Sequence, residues 1–551
     1  MTATTHPSPP GFASMTRKSA TDTLAGTGTM IRLVLRRNRI RLLVWWAVLV
    51  GLFAYVTAYY TDIFATQAAL DDFAAVSNVP SIKALTGLAA APNTLGGAVW
   101  TKIWMSCALS LAFGVVFLVT RNGRADEEVG RTELLRSRML GVHAYSMASW
   151  AINAALCVAV GAGVALASAA GGLDPAGTGI TGSLIVGASM AGVGLVGVGV
   201  GALCGQVTST SRGANALGSI VLGACYVLRM IGDLGDGRLT WASPIGWGQA
   251  MQPWGADRWW PLGLLVLLAA ALVTLAAWLE GRRDLGSGLL PERGGRDSAP
   301  AWYATPLGLG LRLQRGPIIG WTSTIVLSAL LFGTVVKAMT DLMADASGIA
   351  ADLIRGTGVD ALLALLLALI AMITTVFAIQ STVSLRADEA SGIVEPQLAG
   401  AMSRSRWATR RLLIPAVGSA LLLLVGGAGM GAGYGSIIGD PGQTGRLALC
   451  ALAYWPAVMV FVGIAVALFG WMPRLAIPFA WGVLAAMWFI VLIGDALHLP
   501  NWILNVLPFS ATPYVPYAEL TWPPLVIMTL VAGALVWIGL NRFQHRDVQP
   551  E

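Results

Sequence analysis

Long apolar runs separated by short polar stretches dominate the pattern of this chain. Twelve runs have about 20 residues or more, enough for a helix that crosses the hydrocarbon core of a membrane. They lie at residues 42–60, 101–120, 144–170, 183–207, 213–232, 260–279, 318–338, 359–384, 412–435, 447–470, 475–494 and 523–541. The pattern therefore predicts an all-α polytopic membrane protein with twelve transmembrane helices. Glycines recur through the fourth run, from Gly192 to Gly201, and small residues permit close helix packing in lipid.

Composition supports the membrane assignment. Of the 551 residues, 56% are hydrophobic and only 11% are charged, and the mean hydropathy is +0.70. A soluble domain carries about 25% charged residues, so this chain has too few to cover a surface in water. The net charge of +7 satisfies the positive-inside rule when both termini are cytoplasmic, because most Lys and Arg residues then flank inner helix ends.

A charged stretch follows the second apolar run and returns after the eighth. Arg124–Glu133 and Arg386–Glu395 share six of ten residues at an offset of 262. The same offset aligns other landmarks, among them Trp260–Pro261 with Trp522–Pro523. Because six runs separate the two copies, the sequence predicts two parallel six-helix repeats.

Each copy of the charged stretch is a candidate docking surface. If each copy forms one helix, an aspartate, the glycine and the last glutamate lie on one face, at i, i+4 and i+7. These residues are Asp126, Gly130 and Glu133 in the first copy, and Asp388, Gly392 and Glu395 in the second. The alternative is a solvated charged turn that only sets the topology.

Polar stretches predict the domain organisation. Residues 1–29 are rich in Ser, Thr, Pro and Gly and are expected to form a disordered cytoplasmic tail. The first transmembrane half is predicted at 30–280, a cytoplasmic linker with a second interfacial segment at 281–317, the second half at 318–545, and a cytoplasmic tail at 546–551.

Two further segments have compositions typical of a membrane interface. Ile31–Arg41 interleaves apolar and basic residues, as in a helix that lies on an anionic leaflet. The alternative is that these charges simply flank the first span. Residues 233–259 are rich in Pro and Trp, which predicts short helices that dip into the outer interface. The alternative there is a folded outer loop packed on its own aromatics.

Candidate catalytic and metal-binding groups are scarce. The five cysteines and four histidines are scattered without paired spacing, and none of the four lysines follows a glycine, as a P-loop requires. The sequence therefore predicts no catalytic residue, no metal site and no enzymatic activity. ATP hydrolysis, if it drives the protein, is expected on a separate subunit.

Together these features resemble ABC-2-type permeases. More narrowly, they resemble the fused twelve-span subunits of exporters linked to tetronasin and other polyketide antibiotics. The resemblance rests on the two charged stretches, on Ile31–Arg41 and on Ser243–Pro261, and covers roughly residues 30–545. It implies an ABC-2 (type V exporter-like) fold in a bacterial inner membrane, with both termini cytoplasmic.

The resemblance also implies partners. Two copies of an ABC nucleotide-binding subunit would hold ATP and Mg, while this chain itself would hold no cofactor. The chain would contact membrane lipids and a lipophilic small-molecule substrate, and no nucleic acid. By position, the resemblance assigns coupling to the nucleotide-binding subunit to Asp126, Glu127, Gly130, Glu133, Asp388, Glu389, Gly392 and Glu395.

The resemblance places the second and fifth spans of each half around the substrate pathway. Large aromatic residues and methionines in those spans are the candidates, namely Trp104, Met105, Phe113, Tyr226, Met230, Met372, Phe377, Trp488 and Phe489. Ordinary helix packing is the alternative for each of them. Arg229 is an ionisable residue within the fifth span and is a candidate for function, or for a structural ion pair with Asp233.

The function expected from these observations is that of the permease subunit of an ATP-driven ABC exporter, which translocates lipophilic drugs or antibiotics outward by alternating access. A proton-coupled multidrug exporter of the major facilitator type is the alternative, since it also has parallel 6+6 repeats. Such a carrier needs several acids deep in its spans, and few are present. A membrane enzyme acting on lipids would need convergent acids, histidines or a metal motif.

Overall fold

The computed structural model describes residues 23–64, 66–77, 83, 86–136, 140–174, 179–284, 286–289, 298, 300–345, 349–400, 402–493 and 507–547. All regular elements in these ranges are helices, and no strand occurs among them. The chain is therefore an all-α polytopic membrane protein. Most of the predicted N-terminal tail lies outside the described residues, but its last residues, from Thr27, are helical rather than disordered.

The chain divides into two compact units, Met1–Gly294 and Gly295–Glu551. The helices of the first unit are α1 (Thr27–Ile63), α2 (Gln67–Ser77), α3 (Leu95–Val99), α4 (Met105–Arg121), α5 (Arg124–Glu128), α6 (Arg131–Arg136), α7 (Ala144–Ala170), α8 (Thr181–Val207), α9 (Ser211–Leu234), α10 (Pro244–Gln249) and α11 (Trp260–Glu280). A π-helical turn, Trp100–Trp104, joins α3 to α4, and a 3₁₀ turn, Leu239–Ala242, precedes α10.

The second unit begins with a 3₁₀ turn, Ala301–Ala304. Its helices are α12 (Pro306–Asp345), α13 (Ile349–Ala390), α14 (Val394–Leu398), α15 (Arg404–Ile438), α16 (Gly442–Leu452), α17 (Trp455–Trp471), α18 (Ala476–Ile493), α19 (Pro508–Ala511) and α20 (Trp522–His545).

Ten helical segments of the described chain are long and apolar enough to cross a membrane, six in the first unit and four in the second. The remaining two predicted runs, 318–338 and 475–494, coincide with α12 and α18. Each apolar run thus falls on a helix, while the count of twelve spans stays a prediction.

Helix α8 is central to the first unit and packs against α4, α7 and α11. A Cβ atom built on Gly187 would lie 2.2 Å from the carbonyl oxygen of Gly161 on α7, so the two backbones are in contact. A Cβ atom on Gly197 would lie 2.8 Å from the carbonyl oxygen of Ala112 on α4. The glycine-rich fourth run is therefore a packing surface, as its composition predicted.

In the second unit, α17 and α20 also contact each other through glycines. A Cβ atom on Gly470 would lie 2.3 Å from the carbonyl oxygen of Gly539. Helix α17 also packs against α13, α15 and α18. In both units the fourth apolar run thus approaches its neighbours through glycine, because only a missing side chain lets helix backbones come this close.

Helix α1 is one continuous helix of 37 residues that contains both the basic stretch and the first apolar run. Ile31–Arg41 is therefore the first part of the same helix as the first span and not a separate helix, while its position at the membrane surface stays a prediction. No Gly or Pro lies between Arg41 and Trp45 to end the helix. At 1.5 Å per residue α1 is about 55 Å long, which exceeds the hydrocarbon core of about 30 Å. The second predicted interfacial segment is also continuous with a predicted span, because α12 starts at Pro306, inside that segment.

The glycine contact between α7 and α8 makes a prediction about stability. Gly187→Ala should destabilise the protein by about 1–3 kcal/mol, because its methyl group would force two helix backbones apart. Gly263→Ala is the matched control, since a Cβ atom on Gly263 in α11 meets nothing within 4 Å. Thermal unfolding of the two purified variants in the same detergent measures the difference, and equal stability would contradict the packing role of Gly187.

Candidate functional site

The first charged stretch is two short helices rather than one. Helix α5 ends at Glu128, and α6 begins at Arg131. Gly130, between them, has a φ of +72°, a left-handed conformation that favours glycine. The prediction that Asp126, Gly130 and Glu133 lie on one face of a continuous helix is therefore wrong, because the helix ends before the glycine.

Asp126 is buried beneath this turn, with only 2% of its surface exposed. Its carboxylate pairs with the guanidinium groups of Arg37 at 2.8 Å and Arg131 at 3.0 Å. It also accepts a hydrogen bond of 2.5 Å from the hydroxyl of Tyr145. Since Arg37 belongs to α1 and Tyr145 to α7, Asp126 ties the turn to two spans of its own unit.

Glu127 makes a second set of internal contacts. It pairs with Arg124 at 2.7 Å and with Arg283, just beyond the end of α11, at 2.5 Å. Arg124 also donates hydrogen bonds to backbone carbonyls of Ser209, Gly286 and Ser287. Arg124, Glu127 and Arg283 form what we call the clamp of the first unit, which holds the turn to the end of the last span.

The second unit contains the same clamp, formed by Arg386, Glu389 and Arg546. The carboxylate of Glu389 is fully buried and accepts bonds of 2.6 and 2.8 Å from the two terminal nitrogens of Arg546, just beyond α20. Arg386 lies 3.7 Å from the same carboxylate. Asp388 pairs with Arg411 on α15.

Glu128 has a role that sequence reasoning missed. Its carboxylate accepts hydrogen bonds of 2.7 Å from both the backbone N–H and the hydroxyl of Ser211, the first residue of α9. An acid at a helix N-terminus is favoured by the exposed backbone N–H groups and the helix dipole. Arg283 and Arg546 were also missed, although each follows the last apolar run of its half in the sequence.

The exposed part of each turn lies after the clamp. In the first unit Val129 and Leu134 are 65% and 74% exposed, and Glu133 is exposed beside them. In the second unit Ile393 is 38% exposed, next to exposed Glu395. Among the predicted coupling residues, the glutamates after the glycine are thus the ones that face outward, while Asp126, Glu127 and Glu389 contact their own unit and Asp388 is half-buried.

Gly392 repeats the conformation of Gly130, with a φ of +73°. A Cβ atom would meet nothing within 4 Å at either glycine, so the positive φ, rather than crowding, is what favours glycine there. Each turn therefore changes direction at its glycine, between acids that contact their own unit before it and a glutamate that faces outward after it.

Comparison with known proteins places the chain among transport proteins. It is 34% identical over 536 residues to the multidrug efflux system permease protein Rv1217c of Mycobacterium tuberculosis, and the match covers 95% of each chain. This chain belongs to the family of multidrug efflux permeases. Residues 303–544 also match the family model of the C-terminal domain of the same permease, and this range runs from just before α12 to the penultimate residue of α20.

Most of the predicted pathway residues of this permease have a described environment. Trp104, Met105, Met372 and Phe377 are buried within their own units. Trp104 stacks on Trp100 with ring centroids 4.2 Å apart and donates a 2.8 Å hydrogen bond to Ser189, so packing explains it. Phe113, Tyr226, Met230 and Trp488 are half-buried and stay candidates. The side chain of Phe489 lies outside the described part of the chain.

Arg229 of the permease forms the predicted ion pair with Asp233, at 3.1 Å, and both side chains are fully buried. Asp233 also accepts hydrogen bonds from Thr240 at 2.8 Å and Gln249 at 3.1 Å. Arg229 lies over the ring of Tyr226, 4.6 Å from its centroid. The pair therefore has a structural role, because it anchors the Pro/Trp segment to α9. That segment forms the short helices that its composition predicted, while its position in the membrane stays a prediction.

The clamp makes a prediction about the second unit. Glu389→Gln should lower the free energy of unfolding by about 3 kcal/mol, because it leaves two buried guanidinium groups without their carboxylate. Glu395→Gln, on the exposed part of the same turn, should have little effect. Unfolding in detergent, followed by tryptophan fluorescence, compares the two variants, and equal losses would show that the clamp does not stabilise the fold.

Proposed function

We propose that this chain is the membrane-spanning permease subunit of an ATP-driven ABC exporter of the ABC-2 type. It moves lipophilic drugs or antibiotics outward by alternating access, and two copies of a separate nucleotide-binding subunit supply the free energy. The observation that carries this proposal is the turn that occurs once per unit, clamped to its own spans and carrying an exposed glutamate.

The exposed part of each turn has the chemistry of a protein interface. Among the described residues no cation pairs with Glu133 or Glu395, so both carboxylates are free to bind Arg or Lys of a partner. Exposed apolar residues stand beside them, Leu134 in the first turn and Ile393 in the second, and they would add apolar contact to such an interface.

The buried part of each turn transmits the movement of the partner. In the first unit, Asp126 holds α1 and α7 through Arg37 and Tyr145, and Glu127 holds the end of α11 through Arg283. A displacement of the turn therefore moves the inner ends of three spans together. Closure of the nucleotide-binding subunits on ATP would act on both turns and rock the two halves.

The substrate class rests on the family and on the spans. The relative in Mycobacterium tuberculosis is named as a multidrug efflux permease, which supports several lipophilic substrates for this chain. Half-buried aromatic and methionine side chains suit such loose specificity, because methionine adapts its shape and aromatic faces bind many apolar molecules.

Charge reversal on the exposed glutamates tests the coupling role. The chain is co-expressed with the nucleotide-binding subunit encoded nearby, and association and ATPase activity are measured in lipid nanodiscs. Glu133→Arg together with Glu395→Arg should lower the affinity for the nucleotide-binding subunit and the ATPase activity by roughly ten-fold or more each, since like charges across an interface cost several kcal/mol. Glu519→Arg together with Asp236→Arg is a control of equal charge change on exposed residues outside the turns.

The outcomes separate the two function classes. Loss of association in the turn variant, with the control unchanged and both folded, supports the coupling surface. If the wild-type chain purifies without any ATPase and moves a fluorescent drug on a proton gradient alone, the ABC assignment is wrong and the major facilitator mechanism replaces it.

A further inference from the structure

An open groove runs between α1 and α7 on the surface of the first unit, with a volume of about 1060 Å³. Its α7 side is built from small residues one turn apart, Ala151, Ala155 and Ala159. Its α1 side runs from Ile31 to Trp46, which is about 22 Å at 1.5 Å per residue. One leaflet of a bilayer with its headgroups is also about 20–22 Å thick.

The two ends of the groove differ in chemistry. Arg32, Arg36 and Arg39 line the end near the N-terminus of α1, while the other end lies in the first apolar run and is closed by Trp46. The indole of Trp46 donates a 3.0 Å hydrogen bond to the carbonyl oxygen of Ala159, which holds it across the groove. The groove therefore passes from a cationic region into a region that faces hydrocarbon.

The three arginines have no internal partner among the described residues, and all three are exposed. Arg37, on another face of the same helix, pairs with Asp126 at 2.8 Å. Within the described part of the chain, an acid thus pairs with the arginine that points into the unit, and none pairs with those that line the groove. Guanidinium groups bind phosphate oxygens in a bidentate way, so this end of the groove suits a phosphate group.

The second unit contains the equivalent groove in a different form. It lies between α12 and α15 and has a volume of about 590 Å³. At the positions of the three alanines, 262 residues later, stand Leu413, Val417 and Leu421. Their larger side chains account for the smaller volume.

The charged end is also missing from the second groove. An offset of 276 residues aligns Arg36 with Arg312 and Arg39 with Arg315. Neither arginine lines the second groove, and Arg312 lies over the ring of Tyr303 instead, 4.8 Å from its centroid. The two halves therefore differ in both features that would hold a charged amphiphile.

We propose that the groove between α1 and α7 binds an anionic phospholipid of the surrounding membrane. The phosphate lies among Arg32, Arg36 and Arg39, and an acyl chain lies along the three alanines. A lipid fits better than a peptide, because the apolar end of the groove lies in a membrane span and the length matches one leaflet. The site is asymmetric, since the equivalent groove of the second unit lacks both the space and the charge.

Lipid binding to the purified full chain tests the proposal without ATP or a partner subunit. Dioleoyl-phosphatidylglycerol and dioleoyl-phosphatidylcholine are added separately to delipidated protein, and bound lipid is measured by native mass spectrometry. The wild type should bind phosphatidylglycerol more tightly. Arg32→Gln, Arg36→Gln and Arg39→Gln together should weaken it by about ten-fold or more, since each basic residue contributes roughly five-fold.

Two further variants distinguish lipid binding in the groove from lipid binding by general surface charge. Ala151→Leu, Ala155→Val and Ala159→Leu together install the side chains of the second unit and keep all charges. They should also weaken phosphatidylglycerol binding about ten-fold. Arg315→Gln, Arg406→Gln and Arg410→Gln remove three exposed arginines from the second unit and should change it less than two-fold.

Three results would overturn the proposal. Unchanged phosphatidylglycerol binding in the variant with the three alanines replaced would show that surface charge alone holds the lipid. An equal loss of phosphatidylglycerol binding in the control that lacks three arginines of the second unit would also show that surface charge alone holds the lipid. Binding of a lipophilic fluorescent dye is measured in the same variant. If the alanine replacements abolish dye binding but leave phosphatidylglycerol binding unchanged, the groove is a drug site. None of these results depends on ATP, so they are distinct from a failure of the proposed function.

Discussion

A buried glutamate between two arginines is the interaction on which each unit of this permease depends. Glu127 and Glu389 are almost or fully shielded from solvent, and each joins the turn after the second apolar run to an arginine beyond the last span. A buried carboxylate without its cations would be costly, so the turn and the end of the last span are held together. The close glycine contacts between helices then define how the remaining spans pack around α8 and α17.

This constraint divides each turn into two parts with different roles. The acids before the glycine bind arginine, tyrosine or serine residues of their own unit, while the glutamate after it faces outward. The left-handed glycine makes the division possible, because it turns the chain by an angle that other residues adopt only with strain. The proposed coupling role uses both parts, because one would bind the partner and the other is fixed to the spans of its own unit.

The two units share buried contacts and differ in the grooves on their surfaces. Asn38 donates to Asn122 in the first unit, and at the corresponding place Gln314 donates to Ser384 in the second. The grooves beside these contacts differ instead, with alanines and free arginines in one and larger apolar residues in the other. A surface groove tolerates changes of volume and charge that a close-packed interior does not.

Much of the fold and part of the candidate site followed from the sequence. Hydrophobic runs set the positions of the helices, because a segment in lipid must satisfy its backbone hydrogen bonds within itself. The repeat offset identified both charged stretches, and the spacing of Arg229 and Asp233 anticipated their ion pair. Tertiary structure alone decided which acids are buried, since Arg283 and Arg546, which pair with Glu127 and Glu389, lie more than 150 residues away along the chain. It also decided that the groove beside α1 is open, because this depends on the small side chains of α7 rather than on the local pattern of α1.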